Sequence, residues 1–432
     1  MRLRYRRFAP PPSSPPPPPL AHGSRTATPV SRRFSTDTDA FTPVAHRDDG
    51  DDKDVTLHSA RLHWSAADSS ASRRRAAFEL RTFRDTDAAP EVHRPSTGSI
   101  VTDLASKSKV EFRWVDGPPR LALLLKRPHD SSATAALRQA VGILWSRGVK
   151  VLLQDDTQSD LASMEAPLPE LLQFAPFSEL QWHPIDVIVV FGGDGSLIHA
   201  SKAFPNACPP ILAFAMGSLG FLTPFAASSI PQTLDWLVSQ RPFMLRLRSR
   251  LQFSVYRKDG SLIAAAAALN EGVIGGSDAT SLTKLALFTH PASDVAVTTF
   301  QGDGLIVSTP TGSTAYSLSA GGSMVHPNVP AILLTPIAPF SLSFRPVILA
   351  DYTQLKIQVA LDARAPARIS IDGSRPIRLA PGDFVVCATS QFPLPTVAQR
   401  TRDGDDAWLL SLSSALHWNQ AQAAQRPLGA TV

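Results

Sequence analysis

Short apolar runs alternate with helix-spaced segments through the middle of the chain. Residues 121–125 and 149–153 have the composition of buried strands, and 133–145 between them carries apolar residues at helical spacing, with Gly148 placed as a C-terminal stop. The alternation continues with a strand at 185–191, a helix at 196–204, a strand at 211–215 and a helix at 230–238. This order indicates a parallel sheet with helices on its faces, so we expect an α/β domain over residues 116–240.

The pattern changes after Arg241. Leu251, Phe253 and Val255 alternate with polar residues, which is the period of a strand with one buried face. Similar short runs follow at 285–288, 295–299, 305–308, 355–359, 369–371 and 384–387. Short strands without helices between them indicate an antiparallel sandwich or closed sheet, so we expect a β-rich domain over residues 241–400. A final apolar stretch predicts a helix within 404–420 that packs back on the first domain.

The N-terminal part of the chain lacks this periodicity. Residues 35–115 are polar, and we expect a disordered or weakly ordered linker there. Residues 1–34 are rich in Arg and Ser and contain no acidic residue, the composition of a mitochondrial transit peptide, although a proline tract at 10–19 disfavours the usual amphipathic helix. We therefore expect a location in the mitochondrial matrix; the alternative is a basic tail on a cytosolic protein.

Charge and cysteine content exclude several classes of function. The formal net charge is +5, yet seven of the 42 basic residues and none of the 37 acidic residues lie within 1–36, so the rest of the chain carries −2 and gives no argument for nucleic acid binding. Two cysteines cannot form a disulfide framework or a thiolate metal site. Because no run of 18 apolar residues occurs, we expect no membrane span.

A glycine-rich turn at 192–200 follows directly on the apolar run at 185–191. Its sequence is Gly-Gly-Asp-Gly-Ser-Leu-Ile-His-Ala, and glycines before a helix allow backbone N–H groups to surround a phosphate. Asp194 would repel that phosphate unless it binds Mg²⁺ or accepts a proton from an attacking hydroxyl. Phosphofructokinases, lipid kinases and NAD kinases have similar turns, whereas a tight turn with Asp194 as a helix cap is the structural alternative. No Gly-x4-Gly-Lys-Ser/Thr loop is present.

A second motif, at 302–322, combines a strand with a loop crowded with hydroxyls, small residues and one aromatic ring. Closely spaced donors and acceptors beside a stacking face suit a nucleoside better than a lipid tail. With these two motifs the chain resembles the NAD kinases, which phosphorylate the adenosine-ribose 2′-hydroxyl of NAD. The resemblance extends over about 119–418 and is also carried by motifs at 217–223, 270–271, 331–336 and 341–346.

The resemblance implies a role for each matching residue. Asp194 matches the general base and Mg²⁺-associated carboxylate, and Gly192, Gly193 and Gly195 match the phosphate-facing turn. The implied NAD-binding residues are Gly195, Ser196, Phe221, Asn270, Glu271, Asp303, Thr314, Ala315 and Tyr316. The resemblance also implies a nucleotide-binding kinase domain followed by an NAD-binding β domain with the dinucleotide in the cleft between them, ATP and Mg²⁺ as cofactors, NAD or NADH as substrate, and a homo-oligomer.

Four residues qualify that assignment. Gly302 stands where NAD-restricted relatives can have Arg, and a small residue there goes with acceptance of NADH, so we expect both substrates. Asp372 falls at another cleft position, but Asp-Gly is equally an ordinary hairpin turn. Ala215 and Met216 stand where many relatives have Asn before the 217–223 motif. A lipid or sugar kinase of the same superfamily and a catalytically silent dinucleotide-binding paralogue are the alternative functions.

Overall fold

Two large sheets form the body of the protein. The computed structural model describes residues 76–83, 91–93, 109–162, 172–239, 241–277, 282–293, 295–399 and 407–416. Up to residue 239 the elements are β1 (Phe78–Phe83), β2 (Glu91–His93), β3 (Lys109–Trp114), β4 (Leu121–Lys126), α1 (Ser131–Ser146), β5 (Lys150–Gln154), α2 (Gln158–Ala162), β6 (Leu172–Ala175), β7 (Val187–Gly192), α3 (Asp194–Ala203), β8 (Ile211–Ala215), β9 (Phe225–Ala226) and α4 (Ile230–Val238).

Strands predominate in the second half. They are β10 (Phe243–Arg248), β11 (Leu251–Tyr256), β12 (Leu262–Ala268), β13 (Glu271–Gly276), β14 (Thr283–Phe288), β15 (Thr298–Ser308), β16 (Ala331–Pro339), β17 (Val347–Ala350), β18 (Leu355–Val359), β19 (Ala367–Ile371), β20 (Ile377–Leu379), β21 (Phe384–Thr389) and β22 (Leu394–Val397). Two further helices are α5 (Tyr316–Ser319) and α6 (Ala407–Leu416). No helix within the described ranges is long and apolar enough to cross a membrane.

The first sheet has the order β2-β1-β3-β10-β22-β8-β7-β4-β5-β6. Strands β22, β8, β7, β4, β5 and β6 run parallel. Helix α1 leads from β4 to β5, whereas α3 leads from β7 to β8 on the other side, so the connections diverge at the β4–β7 pair. Ligands of such sheets bind outside the carboxyl ends of the strands at this point, and Gly192 ends β7 there.

The edge of the first sheet differs from the sequence-based expectation. Strands β1, β2 and β3 lie within 35–115, where we expected a polar linker, and β10 and β22 join this sheet from beyond residue 240. In β3 charged residues alternate with the buried Val110, Phe112 and Trp114, which is the period of a half-buried strand, but this short pattern lies in a segment of polar overall composition. Phe112 stacks between Phe78 and Phe243 and so packs β3 against β1 and β10. Residues 1–75, which include the expected transit peptide, lie outside the described ranges.

The second sheet is antiparallel throughout its described pairings, as the short-strand pattern predicted. Its order is β12-β11-β21-β18-β14-β15-β13-β19-β20, with β16 and β17 added beside β15. Inward-facing residues alternate along β11 and β18, where Leu251, Phe253, Val255, Leu355 and Ile357 are buried. The α/β domain with a parallel sheet and the antiparallel β domain confirm the predicted fold class.

Two basic side chains connect the α/β domain to the β domain by donating hydrogen bonds to backbone carbonyl oxygens. Arg250 donates to the carbonyl oxygens of Phe204, Asn206 and Phe392 at 2.6, 2.5 and 2.7 Å. Lys202, near the end of α3, donates to the carbonyl of Asp372 at 2.8 Å. In α6, Trp408 contacts His326 edge to face with ring centroids 5.2 Å apart, so this contact joins the helix to the segment after α5.

Candidate active site

The glycine-rich turn connects β7 to α3 at the carboxyl edge of the parallel sheet. A Cβ atom on Gly192 would lie 2.1 Å from Ser196 Oγ, so glycine is required for the helix to start this close to the strand. Nothing lies within 4 Å of the corresponding positions on Gly193 and Gly195, so that side of the turn is open. Its amides, at the N-terminus of a ten-residue helix, suit an anionic group.

Asp194 is held by the next turn along the chain. Its Oδ2 accepts from the amide of Phe221 at 3.1 Å, and its Oδ1 accepts from the amide of Leu222 at 3.0 Å and from Thr223 Oγ1 at 3.4 Å. A Cβ atom on Gly220 would lie only 2.1 Å from Asp194 Oδ1. The 217–223 motif therefore fixes the carboxylate, and Gly220 leaves the space that the carboxylate occupies.

Asn270 and Glu271 are anchored by Asp372. The Asp372 carboxylate accepts from the amides of Leu269, Asn270 and Glu271 at 2.7, 2.9 and 3.1 Å. Its backbone has φ of +45°, a conformation that Asp tolerates better than most residues. Burial raises the pKa of Asp372, and the three amide bonds act in the opposite direction. Asp372 thus lies beside the predicted ribose-binding pair and orients its backbone.

Glu271 carries an unpaired buried oxygen. Its Oε2 has no hydrogen-bond partner among the described residues and is shielded from solvent. Burial, together with the negative charge of Asp372, raises the pKa of Glu271 to about 7, although a bond from the Tyr316 amide favours the ionised form. A buried acceptor without a partner costs free energy, and a ligand donor could relieve that cost.

The hydroxyl-rich loop packs directly on Asn270. The amide of Thr309 donates to the Asn270 carbonyl at 2.9 Å, and Thr309 Oγ1 donates to the Leu269 carbonyl at 2.6 Å. A Cβ atom on Gly312 would lie 2.3 Å from the Asn270 carbonyl oxygen, so glycine permits this close approach. The half-buried Thr314 and Ala315 and the exposed Tyr316 follow immediately, on the side of Glu271.

Asp303 and Gly302 lie away from these residues. In the β13–β15 pair Glu271 is opposite Ser308, whereas Gly275 is opposite Gly304. Five residues of strand separate Ser308 from Asp303, a distance of roughly 17 Å. Asp303 is exposed, and Gly302 is buried where an added Cβ would meet Phe300, Ala338 and Ile337 atoms at 2.6 to 3.0 Å. The strand register therefore does not bring Asp303 next to Glu271 within one chain.

Arg248 is a buried residue of this region that the sequence pattern did not single out. It ends β10, only 4% exposed, and donates to the Phe221 carbonyl at 3.2 Å, to Thr311 Oγ1 at 3.5 Å and to Thr396 Oγ1 at 3.3 Å. Burial lowers its pKa to about 9, with Arg246 adding repulsion and Asp194 attraction. Arg246 and Arg248 alternate along a strand, and no local signal distinguishes the buried one.

A protein-only metal site is absent from the described residues, since no group of three or more His, Cys, Asp or Glu side chains could hold an ion. Mg²⁺ commonly uses one or two carboxylates together with substrate phosphates, and Asp194 beside the open glycine turn fits that mode.

Ala215 and Met216, which stand where many relatives have Asn, lie close to Arg127. The Arg127 guanidinium donates to the Met216 carbonyl at 3.1 Å. A cavity of about 620 Å³ adjoins it, lined in part by Ser132, Gln139, Gly217 and Leu219.

A glycine turn with one carboxylate on a parallel sheet and a hydroxyl-rich loop on an antiparallel sheet are a combination suited to binding a nucleotide in a two-domain protein. Family models match the chain as the ATP-NAD kinase N-terminal domain over residues 122–241 and the ATP-NAD kinase C-terminal domain over residues 269–399. These matches, which together span more than half of the sequence, show that the chain belongs to the NAD kinase family.

Individual relatives agree with the family models. The mitochondrial NADH kinase pos5 of Schizosaccharomyces pombe is 34% identical over 320 residues, which cover 73% of this chain and 79% of the relative. The chloroplastic NAD kinase 2 of Arabidopsis thaliana is 39% identical over 308 residues, which cover 70% of this chain and 31% of the relative. This chain spans only 65% and 60% of the length of two similar rice proteins.

A solved structure has the same fold. The crystal structure of yeast NADH kinase complexed with NADH superimposes with a TM-score of 0.66 at 29% sequence identity, covering 74% of this chain and 93% of that chain. The likeness extends over both domains, in agreement with the matches to the two family models.

Proposed function

We propose that this chain transfers the terminal phosphoryl group of ATP to the adenosine-ribose 2′-hydroxyl of NAD, and of NADH as well. The observation that carries the proposal is the unpaired, buried Oε2 of Glu271, next to a loop that suits a nucleoside and in the same protein as a carboxylate-bearing phosphate turn. Lys202 connects the Asp194 helix to the Asp372 carbonyl, which ties the two parts of the site together. Membership of the NAD kinase family favours this reaction over lipid or sugar phosphorylation.

In the proposed reaction, Asp194 accepts the proton of the 2′-hydroxyl as its oxygen attacks the γ-phosphorus. The bond from that phosphorus to the bridging oxygen breaks, ADP leaves, and the product is NADP or NADPH. The amides of Phe221 and Leu222 hold the carboxylate in place. Oδ2, which accepts from the Phe221 amide alone among the described residues, keeps a further lone pair for the proton. General-base help of this kind contributes roughly 10²- to 10⁴-fold.

The remaining contributions come from charge stabilisation and positioning. Gly192, Gly193 and Gly195 place backbone amides at the phosphates, and Asp194 with those phosphates would hold Mg²⁺. The ion, when bound, neutralises the charge that develops on the transferred group.

Glu271 and Asn270 are proposed to bind the ribose hydroxyls, since an amide and a carboxylate together offer the donors and acceptors that a diol needs. Ser196, Phe221, Thr314, Ala315 and Tyr316 would complete the nucleoside contacts. A ribose hydroxyl donating to Glu271 Oε2 would supply its missing partner.

Acceptance of NADH is proposed from Gly302. The relatives named above include NADH kinases, and one of them was crystallised with NADH. Initial rates on NAD and NADH at equal concentration test this part of the proposal. We expect NADPH to form from NADH; a rate indistinguishable from background with NADH, beside a clear rate with NAD, would remove it.

We also propose a mitochondrial location and a homo-oligomer. The first is supported by the Arg- and Ser-rich composition of residues 1–34 and by the mitochondrial relative, although another relative is chloroplastic. The second is supported by exposed apolar side chains near β16 and β17, of which Phe340, Leu342 and Tyr352 are the most exposed. This apolar surface lies near Asp303, because the Phe340 amide donates to the carbonyl of Gln301, two residues before Asp303. The location is tested by fusing residues 1–50 to a fluorescent reporter and observing where the reporter accumulates. The oligomeric state is tested by measuring the molecular mass of the purified protein in solution.

An acceptor panel separates the proposed function from its alternatives. The purified chain is incubated with ATP, Mg²⁺ and either NAD, a sugar or a diacylglycerol, and ADP release is measured for each. We expect release with NAD. Release with a sugar or a lipid alone would establish the superfamily alternative, and NAD binding without ADP release would establish a silent paralogue.

A further inference from the structure

Arg248 is buried without a salt-bridge partner among the described residues. Its three nitrogens donate to two hydroxyls and one carbonyl. Burial of a guanidinium costs several kcal/mol, and hydrogen bonds to two hydroxyls and one carbonyl offset only part of that cost. Stability of the fold therefore does not by itself account for an arginine here.

The neighbouring Arg250 shows the contrast. It is also buried, but its three carbonyl partners lie at 2.5 to 2.7 Å, in Phe204, Asn206 and Phe392, and none of them belongs to the site. The partners of Arg248 are more distant, at 3.2 to 3.5 Å, and two of them belong to the site motifs. Arg250 ties loops to the fold, whereas Arg248 contacts the site itself.

The two partners in the site motifs, Phe221 and Thr311, connect Arg248 to different parts of the site. Phe221, whose carbonyl accepts from Nη2, donates its own amide to Asp194. Thr311, whose hydroxyl accepts from Nη1, begins the short helical segment Thr311–Thr314 that leads to Ala315 and Tyr316. One rigid guanidinium therefore spans the turn that holds the carboxylate and the loop expected to hold the dinucleotide. Its charge also attracts the Asp194 carboxylate.

We propose that Arg248 is a positioning residue for phosphoryl transfer, because it fixes the distance between the Asp194 turn and the Thr311 loop. The inference rests on the proposed function, and it adds a residue that acts through Phe221 and Thr311 without touching the substrate. Small displacements of a reacting group reduce turnover strongly, so loss of this bridge is expected to lower kcat more than substrate affinity.

The first test replaces Arg248 by methionine and by lysine in the full chain. We expect R248M to keep a Tm within a few degrees of the parent, while its kcat falls about tenfold or more and its KM for ATP changes little. We expect R248K to recover part of kcat, because the ammonium can reach one of the partners but cannot span both. A merely structural role would instead lower Tm and leave kcat per folded molecule unchanged.

A matched pair of hydroxyl deletions covers the case in which R248M does not fold. T311V and T396V each remove one hydroxyl that accepts from Arg248, but only Thr311 lies in the dinucleotide loop. We expect T311V to lower kcat severalfold and T396V to stay within twofold of the parent. Equal effects of the two variants, or a parent-like kcat in R248M, would overturn the inference. A parent chain without activity on NAD would refute the proposed function instead.

Discussion

Replacement of Glu271 by glutamine should make the ligand-free protein more stable while it weakens the enzyme. The Glu271 carboxyl is buried beside Asp372, and its Oε2 has no partner, so its ionised form is disfavoured in the folded state. Glutamine has nearly the same shape but no charge to bury. We therefore expect E271Q to relieve a cost that the site otherwise carries until substrate binds.

The size of the effect follows from the pKa. A rise from the ordinary value of 4.5 to about 7 corresponds to roughly 3 kcal/mol when the group is ionised. Partial exposure reduces this to about 1 to 2 kcal/mol. Below pH 4.5 both folded and unfolded chains are protonated and no difference arises. Between 4.5 and about 7 the unfolded chain releases the proton first, so the stability of the parent falls, and above that range the loss is constant.

Thermal unfolding of the parent and E271Q at pH 5 and pH 8, without substrate, measures the difference. We expect E271Q to gain about 2 to 5 °C in apparent Tm relative to the parent at pH 8 and less at pH 5. E79Q is the control of opposite sign, because Glu79 is more deeply buried than Glu271 but its carboxylate pairs with Arg81 at 2.8 Å. Equal stability of E271Q and the parent at pH 8 would refute the reasoning, whatever the activity of the variant.

Two further substitutions probe the contacts around the site. G220A places a methyl group on the Asp194 carboxylate, so we expect kcat to fall about 100-fold, whereas G142A in α1, where nothing lies within 4 Å, should leave kcat unchanged and raise the unfolding free energy by about 0.5 to 1 kcal/mol. Similar kcat values for both variants would contradict this reading. D372N removes the charge that repels Glu271, so the pKa of Glu271 should fall, as carboxyl NMR titration would show, and KM for NAD should rise because the amide clamp is weakened. An unchanged titration would show that Asp372 does not act on Glu271.

Long elements with unbroken patterns were predictable from the sequence. Strand β8 and helix α4 have the predicted bounds. A fully buried strand is a continuous apolar run, and an amphipathic helix has apolar residues at helical spacing. Strands β1 and β3 were missed because each is only six residues long and lies in a segment of polar overall composition, although Lys109, Glu111 and Arg113 alternate with apolar residues as in a half-buried strand. The membership of β10 and β22 in the first sheet could not be predicted, because pairing between distant strands leaves no local signal.

The site followed the same division. Its motifs were visible because residues 192–196 combine three glycines, a carboxylate and a hydroxyl directly after an apolar run, and because hydroxyls are dense in the loop at 302–322. The sequence could not predict the contacts that position these motifs. These contacts are the hydrogen bonds from the 217–223 turn to Asp194, the three backbone amides that donate to Asp372, and the buried side chain of Arg248. Each depends on segments far apart in the chain. The motifs likewise did not indicate that about 17 Å of strand separate Asp303 from Ser308, which lies opposite Glu271.

The central claim is that Asp194 enables ATP-dependent phosphorylation of NAD at the 2′-hydroxyl, and one comparison tests it directly. Parent and D194N proteins are incubated with ATP, Mg²⁺ and NAD, and the NADP formed is measured with an NADP-specific dehydrogenase, with circular dichroism as the check on folding. We predict NADP from the parent and a turnover about 10²- to 10⁴-fold lower in a folded D194N. No NADP from the parent, or parent-like turnover in D194N, would contradict the account.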